Sequence, residues 1–201
     1  MSSPFELLQQ SLGGDAVSQL SRSLGADSAA THRAVSAAVP MLMTALAGNA
    51  SRSGGADALL GALDRDHDGS VLDDLGGFLG NSGAAVGAGD GILRHVLGGR
   101  RATAEGQLAQ ASGLDAASAG KLLAMLAPLV LGALGKSRRS GGLDSGGLAD
   151  LLGQEQRRAR QSMPSGMGGL LGGLLDADGD GEVMDDALKM GGKMLGSLFK
   201  R

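Results

Sequence analysis

The stretch Leu122–Leu134, which reads LLAMLAPLVLGAL, decides the fold of this chain. Leu122, Leu126 and Leu129 recur at helical spacing, and Leu and Ala residues fill the remaining sides of the same helix. A helix that is apolar nearly all round belongs at the centre of a core. We therefore predict that this is the most buried helix, with a kink or break at Pro128 because proline removes a backbone hydrogen bond.

A second segment repeats this face earlier in the chain. Residues 19–49 align with residues 107–137 at a constant offset of 88 (107 − 19), and Pro40 falls opposite Pro128. Val35, Val39, Leu42 and Leu46 form the matching apolar face of the earlier helix. The self-similarity indicates a tandem duplication. An aspartate, Asp27 or Asp115, precedes each helix and is predicted to cap its N-terminus.

The predicted fold is all-α, because no alternating stretch is long enough for a strand. It consists of two tandem helical repeats, residues 1–80 and 92–201, each a small helical bundle that ends in a calcium-type loop and a helix, and each predicted to fold as its own compact unit. Residues 81–91 are rich in Gly, Ala, Ser and Asn and are predicted to form a flexible linker. A basic insertion near residues 154–169 is either a short helix or a solvated loop.

Two Asp-rich segments, Asp64–Asp74 and Asp176–Asp186, are identical at seven of their eleven positions. In both, carboxylates occupy positions 1, 3 and 5 and a glycine occupies position 6, where a sharp turn lets the carboxylates converge on one point. The apolar residue at position 8 fixes such a loop to the core. This spacing is typical of a site for a hard cation such as Ca²⁺, so we predict two calcium sites.

The predicted ligands are the carboxylates at positions 1, 3 and 5, the carbonyl at position 7, and one of the two acids at positions 10 and 11. They are Asp64, Asp66, Asp68, Ser70 and Asp73 or Asp74, and Asp176, Asp178, Asp180, Glu182 and Asp185 or Asp186. Position 12 is Leu75 or Ala187, so the bidentate Glu of an EF-hand is missing and we expect weak affinity, on the order of 10⁻⁵ to 10⁻³ M. The alternative is that these aspartates are turn formers and helix caps in a metal-free structural or partner-binding module.

Composition excludes several functions. The 201 residues contain no Cys, Trp or Tyr and only three Phe, the net charge is −3, and no histidine has triad partners in the sequence, so the chain is predicted to be non-enzymatic. Basic pairs lack neighbouring aromatic residues for base stacking, which excludes nucleic acid.

The apolar run is shorter than the ~20 residues of a membrane span. No export signal is visible, which makes a cytoplasmic location the default expectation. Met and Leu residues after the second Asp segment either favour association with another copy or with a partner's helix, or close the core of the second repeat itself.

Four segments together resemble the YidB-like bacterial family of unknown function. They are Gly91–Gly99, Gln107–Asp115, Leu122–Leu134 with its internal Pro128, and Leu174–Asp186. The resemblance covers most of residues 91–201 and extends more faintly over residues 1–80. It implies a small, all-helical bacterial protein and assigns no activity.

Overall fold

The computed structural model describes residues 3–162, and these residues form helices and no strand, which confirms the predicted all-α class. In chain order the helices are α1 (Pro4–Ser11), α2 (Gly14–Leu24), α3 (Ser28–Ala50), α4 (Gly55–Asp66), α5 (Leu75–Gly80), α6 (Ser82–Leu97), α7 (Arg101–Ser112), α8 (Ala116–Gly141) and α9 (Ser145–Ser162). Short 3₁₀ turns lie at Ser70–Leu72 and Gly98–Arg100.

Helix α8 lies at the centre, as its apolar sequence predicts. Leu122, Leu126 and Leu129 have no exposed surface, and α3, α6 and α7 pack around it. Its length and composition would allow it to cross a membrane, but 83% of its most apolar window is buried inside the fold. That burial is the pattern of a core helix.

Both long helices begin as their sequences indicate, and neither breaks at its proline. The Asp27 side chain accepts hydrogen bonds from the backbone N–H groups of Ala29 and Ala30, and Asp115 accepts one from Ser118, which confirms the predicted caps. Pro40 and Pro128 lie inside α3 and α8, and each helix continues past its proline. The prolines therefore remove one hydrogen bond each without ending the helices.

The linker predicted over residues 81–91 is wrong, because these residues cap and begin helix α6. Asn81 caps the helix by accepting a hydrogen bond from the backbone of Ala84 at 3.4 Å. Several glycines cost this helix intrinsic stability, about 1 kcal/mol each relative to alanine. Gly89, however, is where α6 packs directly on the backbone of α8 at Ala124, so its missing side chain permits the contact that holds the helix in place.

The two halves share one hydrophobic core, so the prediction that each half folds as its own compact unit is wrong for the described residues. Buried side chains of α1 to α4 and of α6 to α9 form a single cluster. Polar contacts also cross between the halves. Arg33 on α3 donates to the Ser112 carbonyl at the end of α7, and Lys121 on α8 donates to the Ser23 carbonyl near the end of α2. Each half thus satisfies a helix end of the other.

The basic segment near residues 154–169 begins as helix. Helix α9 extends through Ser162, so residues 154–162 are helical and the solvated-loop alternative is wrong there. The remainder of the segment, together with the second Asp segment, lies outside the described residues.

Candidate functional site

The first Asp segment, Asp64–Asp74, joins α4 to α5 and is called the first Asp loop below. It begins in the last turn of α4 and turns at Gly69, whose φ of 95° is the left-handed backbone that glycine adopts without strain. It ends where Asp74 caps α5 by accepting a hydrogen bond from Gly77 at 3.0 Å. The sequence correctly predicts the position-6 turn and the following helix.

Basic side chains at the end of α8 contact three carboxylates of this loop. Arg138 lies 2.5 Å from an Asp64 oxygen, Lys136 lies 3.0 Å from one of Asp73, and Arg139 lies 3.3 Å from one of Asp68. Arg139 also donates to the Asp68 carbonyl. All three pairs are partly exposed to solvent, so each contributes little to stability. Together they hold the loop against one end of the central helix.

Two glycines of α8 let the loop backbone lie directly on the helix. A side chain at position 135 would overlap the carbonyl of His67, and one at position 132 would overlap Val71. Val71 is the position-8 residue that the sequence predicts to fix the loop to the core, and it packs against that core. The loop therefore docks by close backbone approach as well as by charge.

Two groups of the loop have altered proton affinity. The backbone N–H and the side chain of Ser70 hydrogen-bond to Asp68 and, with Arg139 nearby, hold the pKa of that carboxyl below its usual range. Burial lowers the pKa of His67, and the neighbouring Asp66 offsets this only in part. At neutral pH the Asp68 carboxylate is thus ionised and the neighbouring His67 imidazole is neutral.

The structure places the predicted ligands of the first loop around the end of α8. Asp64, Asp68 and Asp73 each pair with a different basic side chain of α8. Asp74 caps α5, and the Ser70 carbonyl accepts a hydrogen bond from the backbone N–H of Asp73 at 2.9 Å. Asp66 is the last residue of α4. Within residues 3–162, no group of three or more Asp, Glu or His side chains is arranged to hold a metal ion. The remaining predicted ligands, Asp176, Asp178, Asp180, Glu182, Asp185 and Asp186, lie outside the described residues.

An open groove of about 1150 Å³ runs between α1, α2 and the first half of α3, and is called the α3 groove below. Its lining combines six aliphatic side chains and one aromatic ring with six polar side chains and two glycines. Lining residues include Phe5, Leu8, Leu12, Val17, Val35 and Val39, with Gln9, His32, Arg33 and Ser36 among the polar ones. An apolar floor with a polar rim can accept an amphipathic helix.

Sequence reasoning missed both the α3 groove and the basic partners of the loop. The groove depends on which surface of α3 is left uncovered, and this is a tertiary property. The cluster of Lys136, Arg138 and Arg139 is visible in the sequence, just beyond the apolar run of α8. Such a cluster, in a chain with an acidic loop, is the signal that could have predicted the docking.

The fold and the site define an all-helical chain with one aliphatic core, an open groove and an Asp-rich loop paired with basic side chains. A family model described as "Bacterial protein of unknown function (DUF937)" matches residues 6–137, and the chain belongs to this family. The matched residues run from α1 into α8, whereas the sequence resemblance is strongest after residue 91. Comparison with curated proteins and with solved structures gives no match.

Proposed function

We propose that the protein is a non-enzymatic module that acts by association and that its α3 groove holds a helix. The observation that carries this proposal is the groove itself: about 1150 Å³ of open space lies between three helices, and six aliphatic side chains and the Phe5 ring form part of its lining. Val35, Val39 and Leu8 are buried at its floor, so the groove is preformed by packed helices. A preformed groove lowers the cost of binding a helix.

We propose that the module consists of two tandem repeats, which explains why the helix caps of its two halves match. The proposal is supported by cap positions that recur 88 residues apart: Gly25 and Gly113 both end a helix with positive φ, and Asp27 and Asp115 both begin the next. The reciprocal contacts of Arg33 and Lys121 follow the same relation. In this reading, α1 to α5 and the helices from α6 onward are two copies that fold into a shared core.

A fluorescence experiment tests the groove. The chain has no Trp or Tyr, so Phe5→Trp places the sole fluorescent indole at the groove wall. Ser36→Arg adds a bulky charge at an exposed groove position. If a helix already fills the groove in the full chain, this change shifts the indole emission to longer wavelength. If a separate partner fills it, addition of a peptide with the α6 sequence, residues 82–97, shifts the emission to shorter wavelength.

The matched control carries Phe78→Trp instead, because Phe78 lies on α5 and is not among the groove-lining residues. The emission of this control should respond to neither change. If the Phe5→Trp variant responds neither to Ser36→Arg nor to saturating peptide, no helix binds in the groove and the proposal is wrong.

Calcium binding by the Asp loops is a second candidate function, and the turn at Gly69 favours it. A helix, a glycine turn at position 6 and a second helix follow one another as a cation loop requires. The pairs with Lys136, Arg138 and Arg139 oppose binding at the first loop, because Ca²⁺ would have to displace these cations from Asp73, Asp64 and Asp68. We therefore expect the first loop to bind less tightly than its sequence alone indicates.

Calorimetric titration with Ca²⁺ and with Mg²⁺ tests this second candidate. We expect a Kd on the order of 10⁻⁵ to 10⁻³ M for Ca²⁺, weaker binding of Mg²⁺, and no binding after Asp66→Ala combined with Asp178→Ala. Asp57→Ala combined with Asp150→Ala removes the same charge from exposed positions outside the loops and should leave binding unchanged. No heat and an unchanged melting temperature at millimolar Ca²⁺ would show that the loops bind no calcium.

A further inference from the structure

Helix α9 lies outside the residues that the family model matches, yet it packs on helices inside that range. The match ends at residue 137, whereas α9 runs from Ser145 to Ser162. Its contacts are mainly with α3 and α4. Helix α9 therefore forms a strap across the matched part of the fold.

The buried face of this strap ends in a carboxyl group. Among residues 145–158, the buried side chains are Leu148, Leu152 and Glu155, which share one face of the helix at positions i, i+4 and i+7. Residues 153–162 contain no Leu, Ile, Val, Met or Phe. The later turns of α9 thus bury a carboxyl group where the earlier turns bury leucine.

The neighbours of Glu155 compensate its charge poorly. Arg158 lies 3.0 Å from it, but the Arg158 side chain is 60% exposed, so water screens the pair. Ser3 and Glu6, at the start of α1, also act on Glu155, and Glu6 is a second carboxyl group. The titratable side chains of α3 and α4, and the others of α9 up to residue 157, are exposed; they are His32, Arg33, Asp57, Asp64, Arg65, Asp66, Asp150 and Arg157.

A carboxyl group in these surroundings favours its protonated form. Burial raises the pKa of Glu155, Arg158 offsets the increase in part, and the charge of Glu6 adds to it. The ionised form is therefore unfavourable while the side chain is enclosed. Lifting the later turns of α9 would hydrate the carboxylate, and residues 153–162 would expose no large apolar side chain in return.

We propose that α9 is a pH-sensitive strap whose later turns lie against the other helices while Glu155 is protonated and detach from them when Glu155 is ionised. The earlier turns stay in place, because Leu148 and Leu152 belong to the shared core. Since the pKa of Glu155 is higher in the docked than in the detached state, protonation stabilises docking at low pH. This stabilisation is lost as the pH rises through the docked value.

Hydrogen exchange in the full chain tests the proposal, because helical turns without tertiary contacts fray. Rates are measured from about pH 4 to about pH 8 and divided by those of an unstructured peptide at the same pH. As the pH rises, protection of residues 153–158 should fall, while residues 122–135 of α8 should stay protected. The fall should be about tenfold for each unit by which the docked pKa exceeds the detached one.

Two carboxyl groups of α9 provide matched variants. Glu155→Gln removes the buried charge and should keep residues 153–158 protected at every pH. Asp150→Asn removes an exposed charge from the same helix and should retain the parent profile. If Glu155→Gln disturbs folding, Glu6→Gln poses the same question, because glutamine preserves the capping box with Ser3 and removes the neighbouring charge. This change should make the fall in protection smaller.

Equal protection of residues 153–158 at low and high pH in the parent chain would overturn the inference. A parallel loss of protection in α8 would also overturn it, because the whole chain would then unfold and no separate strap would detach. The same conclusion would follow from identical profiles for the parent, Glu155→Gln and Glu6→Gln, or from a flat profile for Asp150→Asn.

Discussion

Helices α3 and α8 begin with the same aspartate cap, contain a proline at the same position and pack against each other, yet their surroundings differ. Residues 122–135 of α8 are buried without exception, whereas α3 exposes His32 and Ser36 along the groove. The difference arises because α6 packs on the middle of α8 through Gly89, whereas the described glycine that lies this close to the α3 backbone, Gly55 of α4, meets it at Asn49 near the C-terminal end of α3. The two helices thus differ in exposure according to what packs on them.

The largest effect is expected where α8 is most enclosed. Leu126→Asp places a charge where the wild-type side chain has no exposed surface, and neither water nor a cation reaches that position. We expect destabilisation of about 4 kcal/mol or more, measured by urea denaturation. Ala117→Asp, in the exposed first turn of the same helix, should have little effect. A melting temperature within a degree of the parent for Leu126→Asp would contradict the central position of α8.

The next-largest effect is expected at the contact between α6 and α8, where Gly89 lies against Ala124. Gly89→Ala forces a methyl group against the Ala124 carbonyl and should destabilise the fold by about 1–3 kcal/mol. Gly91→Ala lies on the same helix with open space around it and should stabilise the fold by about 0.5–1 kcal/mol, because alanine favours helix. Thermal denaturation of both variants measures the difference, and equal shifts would show that α6 does not pack closely.

A related difference concerns the far ends of the two helices. Gly135 of α8 receives the first Asp loop, while α3 has Ala47 at the matching position. Gly135→Ala should displace His67 and cost about 1–2 kcal/mol, and hydrogen exchange should become faster in residues 67–72. Gly48→Ala on α3, where a methyl group meets open space, serves as the control. Unchanged exchange in the loop would mean that the loop does not rest on α8.

The smallest effect concerns Glu155 of α9, whose side chain is only 3% exposed. Burial raises the pKa of this carboxyl, and Arg158 offsets the increase only in part. Because the pKa is higher in the folded than in the unfolded chain, its contribution to stability is fully present below the unfolded value of about 4.3 and is lost as the pH rises through the folded pKa. Glu155→Gln should therefore gain stability relative to the parent between pH 4 and 7. Parallel curves of melting temperature against pH would contradict this.

Local rules predicted much of the fold. The uniform apolarity of Leu122–Leu134 placed α8 at the centre, and the aspartates before each long helix predicted its caps, because both features act over a few residues. The Asp spacing likewise predicted the turn at Gly69. These properties depend on the sequence near each position and little on the rest of the chain.

Features that depend on contacts between distant residues could not be predicted in this way. Glycines in residues 81–91 favour disorder when considered alone, and they form a helix because α8 offers a surface that only a small residue can approach. The carboxylates of the first Asp loop were assigned to a cation, and the structure pairs Asp64, Asp68 and Asp73 with side chains more than 60 residues away. The spacing of one segment does not reveal which opposite charge will lie beside it.

The shared core has a consequence for how the chain reaches its folded state. Contacts between α3 and α8 join segments that lie about 90 residues apart, so neither long helix is enclosed until both halves have been made. A chain cut between α5 and α6 would yield two fragments that each expose a long apolar helix, and each fragment would also lack the lysine or arginine that satisfies its own helix end. The two fragments are thus complementary: separately they would aggregate, and mixed they would recover one cooperative unit.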